Sequence, residues 1–148
     1  MVLASPRILI VEDAPETLAI MRAALKEYQI KTASTLREAH EIVVAETFDL
    51  YILDASLPDG ETYELAREIK RLNKDRSNLI LFISARGSEF HKLQAFERGA
   101  DDYLTKPVGP LELRARVAAK LRGWQDAHSG KRSVGPLSLD LEKGQAFL

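Results

Sequence analysis

Three short runs are apolar on both faces: ILIV from Ile8 to Val11, LYIL from Leu50 to Leu53, and LILFI from Leu79 to Ile83. A strand that meets water on one side alternates polar with apolar residues. These runs do not alternate, so they predict central strands of a parallel sheet with helices on both faces. Weaker runs at Lys31 to Ala33 and at Tyr103 and Leu104 bring the expected strands to five.

The segments between the runs carry the helical period. Leu18, Met21 and Leu25 share one face, as do Leu36, Ala39 and Val43, then Leu65, Ile69 and Leu72, then Phe90, Leu93 and Phe96, and finally Leu113, Val117 and Leu121. Boundaries are also written in the chain. Thr35 with Glu38 has capping-box spacing, Gly99 stands where a helix could end in a left-handed residue, and Pro110 suits a first helical turn. Strand and helix thus alternate, the pattern of an α/β fold.

With 148 residues and 45% hydrophobic content, the chain can bury one sizeable core with length left over. The excess is legible after Leu121, where RGWQDAHSGKRSVG is polar and aperiodic and predicts the end of a helix followed by a linker. The closing PLSLDLEKGQAFL alternates Leu137, Leu139 and Leu141 with polar residues and then turns at Lys143 and Gly144, like a hairpin beginning without a core.

Several function classes fall away on composition. Lys and Arg total 21 against 22 for Asp and Glu, and a net charge of -1 provides no field for nucleic acid or anionic lipid. Cysteine is absent, which excludes a disulfide scaffold, a thiolate zinc site and a cysteine nucleophile. No apolar stretch reaches membrane-spanning length, so no membrane association and a cytoplasmic location are expected.

Polar signals fall where the strands stop. Glu12 and Asp13 follow the first, Asp54 the third, Ser84 the fourth, and Lys106 lies just past the fifth. In a parallel sheet the carboxyl ends of strands converge on one edge, so one pocket would hold three carboxylates, a hydroxyl and an ammonium. Three packed carboxylates repel one another unless a cation sits among them, and a hard divalent ion with oxygen ligands, Mg²⁺ above all, is the natural solution. Such an ion offsets the charge that keeps a carboxylate and a phosphoryl group apart. Lys106 and Ser84 would hold the remaining phosphoryl oxygens, leaving Asp54 as the nucleophile. Each residue also has a duller reading: Asp13 as a helix cap, Asp54 as a turn residue, Ser84 as a loop hydroxyl, Lys106 as a solvated lysine. Singly those readings win, but they give no reason for all of the residues to stand at carboxyl strand ends.

ILIVEDA, YILDASLPDG, LFISARG and GADDYLTKP, in this order and spacing, resemble the receiver domain of two-component response regulators over about Arg7 to Arg122. The resemblance implies a doubly wound, five-stranded parallel sheet of flavodoxin-like order 2-1-3-4-5 with five helices. Receiver domain, linker and effector fragment would occupy 1–122, 123–134 and 135–148. It implies Asp54 as phosphoacceptor for a sensor histidine kinase, and Mg²⁺ held by Glu12, Asp13, Asp54 and the backbone carbonyl of Ser56. It further implies Lys106 as the conserved lysine ahead of a cis peptide to Pro107, and Ser84 and Tyr103 as switch residues. In that switch the hydroxyl moves toward the phosphoryl group and the aromatic ring turns into the vacated space. Ser56 and Arg86 occupy the positions lining the water path to the acyl phosphate, and His91 is a surface residue.

Within the family, GADDYLTKP with SARG upstream is most similar to the OmpR/PhoB type, whose activated receivers pair through the fourth helix, fifth strand and fifth helix. Lys92, Glu97, Asp101, Asp102, Glu112 and Arg116 match the charged positions of that homodimer surface, against the plainer reading of a solvated charged face. The tail resembles the opening strands of the winged-helix domain through which such regulators bind DNA, so any DNA contact would come through parts absent here.

Two other classes compete. A phosphatase of the haloacid-dehalogenase type also uses a nucleophilic aspartate with Mg²⁺ but places a second acid two residues on, where this chain has Ser56. The expectation is therefore no turnover beyond the chain's own phosphorylation and dephosphorylation. A flavodoxin-like cofactor binder needs a hydroxyl- and glycine-rich loop after the first strand, where VEDAPE stands instead.

Overall fold

A computed structural model describes residues 5–74 and 78–128. The expected strands form as β1 (Arg7–Val11), β2 (Gln29–Ala33), β3 (Leu50–Asp54), β6 (Leu79–Ser84) and β7 (Asp102–Thr105), with a two-residue pair, β4 (Ser56–Leu57) and β5 (Gly60–Glu61), interposed. The helices are α1 (Pro15–Ala24), α2 (Leu36–Ala45), α3 (Tyr63–Leu72), α4 (Glu89–Glu97) and α5 (Pro110–His128). The five-stranded sheet is parallel throughout, in the order β2-β1-β3-β6-β7. That is the flavodoxin-like order 2-1-3-4-5 once the small β4–β5 hairpin is set aside.

The doubly apolar runs have the cause anticipated for them. In β1, Leu9 and Val11 join a core with α2 and α3, while Ile8 and Ile10 join a second core with α1 and α5. Tyr51 and Leu53 of β3 face the first core, and Leu50 and Ile52 the second. The weak run is β2, an edge strand with alternating exposure, which explains its polar residues.

The helix ends follow the sequence signals closely. The Thr35 hydroxyl accepts from the Glu38 amide at 3.1 Å, and the Glu38 carboxylate reaches back to the Ser34 amide at 2.9 Å. Gly99 takes φ +104 after α4, and a Cβ there would lie 2.8 Å from Lys70 Cγ.

Three expectations are corrected. Phe90, Leu93 and Phe96 do share a stripe of α4, but it faces outward, at 65%, 58% and 47% exposure, and the helix is buried through Ala95. Residues 93 and 95 lie about 200° apart on a helix, so an apolar stripe and a buried face are here on opposite sides. Leu72, at the end of α3, is also exposed. The helix expected to end near Leu121 runs on to His128, since Gly123 alone does not interrupt a segment free of proline. The first six residues of the expected linker are thus helical, and 129–148 lie outside the described residues.

Candidate functional site

The parallel register brings the strand ends level. Val11 pairs with Leu53, Asp54 with Ile83, and Ser84 with Thr105, so the residues that follow β1 and β7 meet Asp54 at one edge. Glu12, Asp13 and Asp54 each place a carboxylate oxygen within 4.8 Å of the others. Lys106 Nζ donates to Asp54 Oδ2 at 2.9 Å and stands 3.1 Å from Glu12 Oε1. Its peptide bond to Pro107 is cis, as the resemblance implied.

Each carboxylate is held differently. Glu12 is completely buried on its side chain, and its Oε2 accepts from the Ala14 amide at 3.0 Å. Its Oε1 has the Lys106 charge nearby but no hydrogen bond aimed at it. Burial above all, together with the Asp54 charge, pushes the Glu12 carboxyl above its ordinary range against the pull of Ala14 and Lys106. Burial would lower the Lys106 ammonium, but the Asp54 and Glu12 carboxylates outweigh it and hold the lysine above its usual value. Asp54 is buried, and its Oδ1 accepts from the Ser56 amide at 3.1 Å. Asp13 is exposed at the rim, and α1 is entered through Ala14 rather than through an Asp13 cap.

One ammonium faces three carboxylates, and one buried carboxylate oxygen lacks a donor. Oxygen donors in excess of positive charge fit a hard divalent cation.

Ser84 is buried, with Oγ accepting from the Arg86 amide at 3.0 Å. The Tyr103 ring is already inside: its hydroxyl donates to the Arg86 carbonyl at 2.6 Å, and the ring stacks on Phe82 at 6.3 Å. Arg86 therefore joins the two expected switch residues through its backbone, while its guanidinium reaches Glu61 at 2.6 Å. Sequence reasoning missed Glu61, Tyr63 and Thr62. Tyr63 packs on Phe82 at 5.2 Å, and burial, with Tyr103 beside it, raises its phenol to about 12. Thr62, fully buried, contacts the Asp54 backbone. No sequence signal marks these residues, because each acts through tertiary contacts.

The residues proposed for a dimer surface are largely engaged within the chain. Asp101 accepts from Lys70 at 3.1 Å and from the Ile80 amide at 2.8 Å, and Arg116 reaches Asp102 at 3.0 Å and Glu112 at 3.6 Å. Lys92 and Glu97 lie on α4, the latter exposed.

The response regulator receiver domain family matches residues 8–118, a span that contains all of these strand ends. The chain belongs to that family. This receiver domain is 40% identical over 136 residues to the phosphate regulon transcriptional regulatory protein PhoB of Pseudomonas aeruginosa, covering 90% of this chain and 59% of PhoB. It thus spans about three-fifths of that curated relative's length. Among solved structures it resembles a BeF3-activated DrrB receiver domain, at 31% identity and TM-score 0.73, covering 80% of this chain and 98% of that one. It also resembles a CheY-like receiver from Methanospirillum hungatei, at 28% identity and TM-score 0.77, covering 84% and 99%. The receiver is thereby of the OmpR/PhoB type. No helix among its described residues is long and apolar enough to cross a membrane.

Proposed function

We propose that this receiver domain is a phosphorylation-dependent switch: Asp54 accepts a phosphoryl group from a sensor histidine kinase, and the change alters a dimerisation surface that controls a transcriptional output domain. What carries this reading is the Asp54 carboxylate at the strand edge, with Lys106 Nζ at 2.9 Å and carboxylate oxygens of Glu12 and Asp13 within 4.8 Å.

Glu12, Asp13, Asp54 and the Ser56 carbonyl are the groups that would hold Mg²⁺, which when bound neutralises charge between carboxylate and phosphoryl oxygens. An Asp54 carboxylate oxygen attacks phosphorus, the bond from phosphorus to the donor nitrogen breaks, and the donor keeps the electron pair. Lys106 follows the new negative charge from the carboxylate to the phosphoryl oxygens. The Ser84 hydroxyl, whose oxygen already accepts from Arg86, retains a proton to donate to the same group. Hydrolysis by water regenerates Asp54 and releases phosphate, so the chemistry is confined to the chain's own phosphorylation and dephosphorylation.

Ser84 and Tyr103 transmit the change. Because Ser84 accepts from the Arg86 amide and Tyr103 donates to the Arg86 carbonyl, a shift of the hydroxyl toward phosphate releases one side of the residue that holds the ring on its other. The ring sits on β7 in the core that α4 enters through Ala95, and α4, β7 and α5 are the elements of the proposed homodimer surface. The exposed Phe90, Leu93 and Phe96 stripe supports that choice of face, since contiguous exposed apolar surface favours association.

Incubation with acetyl phosphate and Mg²⁺ should label the chain stoichiometrically, and Asp54→Ala should abolish labelling. Retained labelling in that variant would overturn the assignment. Sedimentation with and without beryllofluoride and Mg²⁺ tests the dimer: an unchanged sedimentation coefficient on binding would remove it.

A further inference from the structure

Thr62 stands immediately before α3, where a threonine hydroxyl ordinarily accepts a hydrogen bond from a free amide of the first helical turn. It makes no such bond. Its hydroxyl instead donates to the backbone carbonyl of Asp54 at 2.8 Å, and its amide donates to the carbonyl of Ala55 at 3.0 Å. The side chain is fully buried, and a buried hydroxyl is stable only when hydrogen-bonded, so the link to Asp54 is what holds it inward. α3 goes without its side-chain cap in favour of the aspartate.

The consequence is mechanical. The Ala55 amide donates to the Ile83 carbonyl at 3.0 Å, so the Asp54 carbonyl and both polar groups of the Ala55 backbone are fixed by partners outside the turn. The β4–β5 pair begins directly afterwards, with Ser56 opposite Glu61, the residue before Thr62. A displacement at Thr62 therefore reaches both the Asp54 side chain and the Ser56 segment. Threonine is stiff about χ1, which suits a fixed strut between loop and strand.

We propose that Thr62 is a positioning residue for phosphoryl transfer: its hydroxyl clamps the Asp54 backbone so that the carboxylate is held ready for attack. The proposal rests on the reading of Asp54 as phosphoacceptor, and Thr62 touches neither phosphoryl group nor cation itself.

The test measures the rate of labelling by acetyl phosphate at saturating Mg²⁺ in the full chain, in Thr62→Val, which keeps the shape and deletes the donor, and in Thr62→Ser, which keeps the donor and deletes a methyl. Thr62→Val should be slower by about tenfold and Thr62→Ser within about twofold of the parent. An undiminished rate in Thr62→Val overturns the proposal, and so does an equal loss in both variants, which would mark a packing role. Should Thr62→Val not fold, Thr62→Ala is compared with Thr62→Ser, and equal rates overturn it. Asp54→Ala runs alongside. An unlabelled parent chain would bring down the Asp54 reading and this inference together, whereas a labelled parent, a blank Asp54→Ala and a fast Thr62→Val would remove Thr62 alone.

Discussion

The two ends of one sheet carry two three-membered charge clusters of opposite composition. At the carboxyl end, Glu12 and Asp54 share the single ammonium of Lys106, with side chains 0%, 8% and 25% exposed. At the amino end, Glu46 is shared by Lys31 and by Arg7, the latter at 2.7 Å, with Arg7 also over the Phe48 ring. Here the carboxylate is outnumbered and the group is open to water. Their protonation equilibria move in opposite directions: burial raises Glu12, while hydrogen bonds from Lys31 and Arg7 lower Glu46. Glu46 is satisfied by its own neighbours. The carboxyl-end cluster holds more negative charge than its lysine can offset, and so has a use for added cation. Clusters alike in outline therefore differ in the sign of their excess charge: the carboxylate at the amino end is neutralised from within, and the cluster at the carboxyl end is left negative.

The contrast can be broken most severely through the lysines. Lys106→Ala should remain folded yet bind beryllofluoride more weakly by about 1.5–3 kcal/mol, the usual loss for a hydrogen bond to a charged group. Lys31→Ala should leave that affinity unchanged. Equal affinity in both variants, measured by titration against a spectroscopic signal, would make the two clusters equivalent.

Mg²⁺ offers a milder test. At about tenfold above its dissociation constant it should stabilise the chain against urea by about 1.4 kcal/mol, as any ligand of the native state alone does. Asp13→Ala should diminish that gain, and Glu46→Ala should leave it intact. Because the Glu12 carboxyl is raised, Mg²⁺ must displace a proton as the pH falls through that raised value, so affinity should weaken on acidification.

The smallest effect belongs to Glu46. Its carboxyl titrates below the ordinary 4.5, so its contribution is fully present above that pH and is lost as the pH falls through the lowered value. The stability difference between the parent chain and Glu46→Gln should therefore shrink below 4.5 and vanish in stronger acid. A difference that grew on acidification would mean that Glu46 is strained rather than satisfied.

Much of this arrangement is legible before any coordinates. Runs such as ILIV name the central strands because a parallel sheet covered on both sides admits only apolar residues there, and the carboxyl-end rule then collects Glu12, Asp13, Asp54, Ser84 and Lys106. What escaped has identifiable causes. Periodicity shows that Phe90, Leu93 and Phe96 share a side of α4 but not which side meets the sheet, and a single Ala95 decided that. Thr62 carries no signal in the sequence, and only the return of the chain past β3 reveals what its hydroxyl does. The β4–β5 pair is too short to leave a pattern.

The parallel pairing of β1, β3, β6 and β7 has a further consequence. Lys106 and Asp54 meet across a separation of 52 residues, and Glu12 comes from a third stretch of chain. No hairpin or local fragment can assemble the pocket, because Asp54 and Lys106 reach Glu12 only after the crossover helices between their strands are docked. A half-folded copy would carry every one of these side chains without the pocket, so the pocket forms only together with the sheet as a whole.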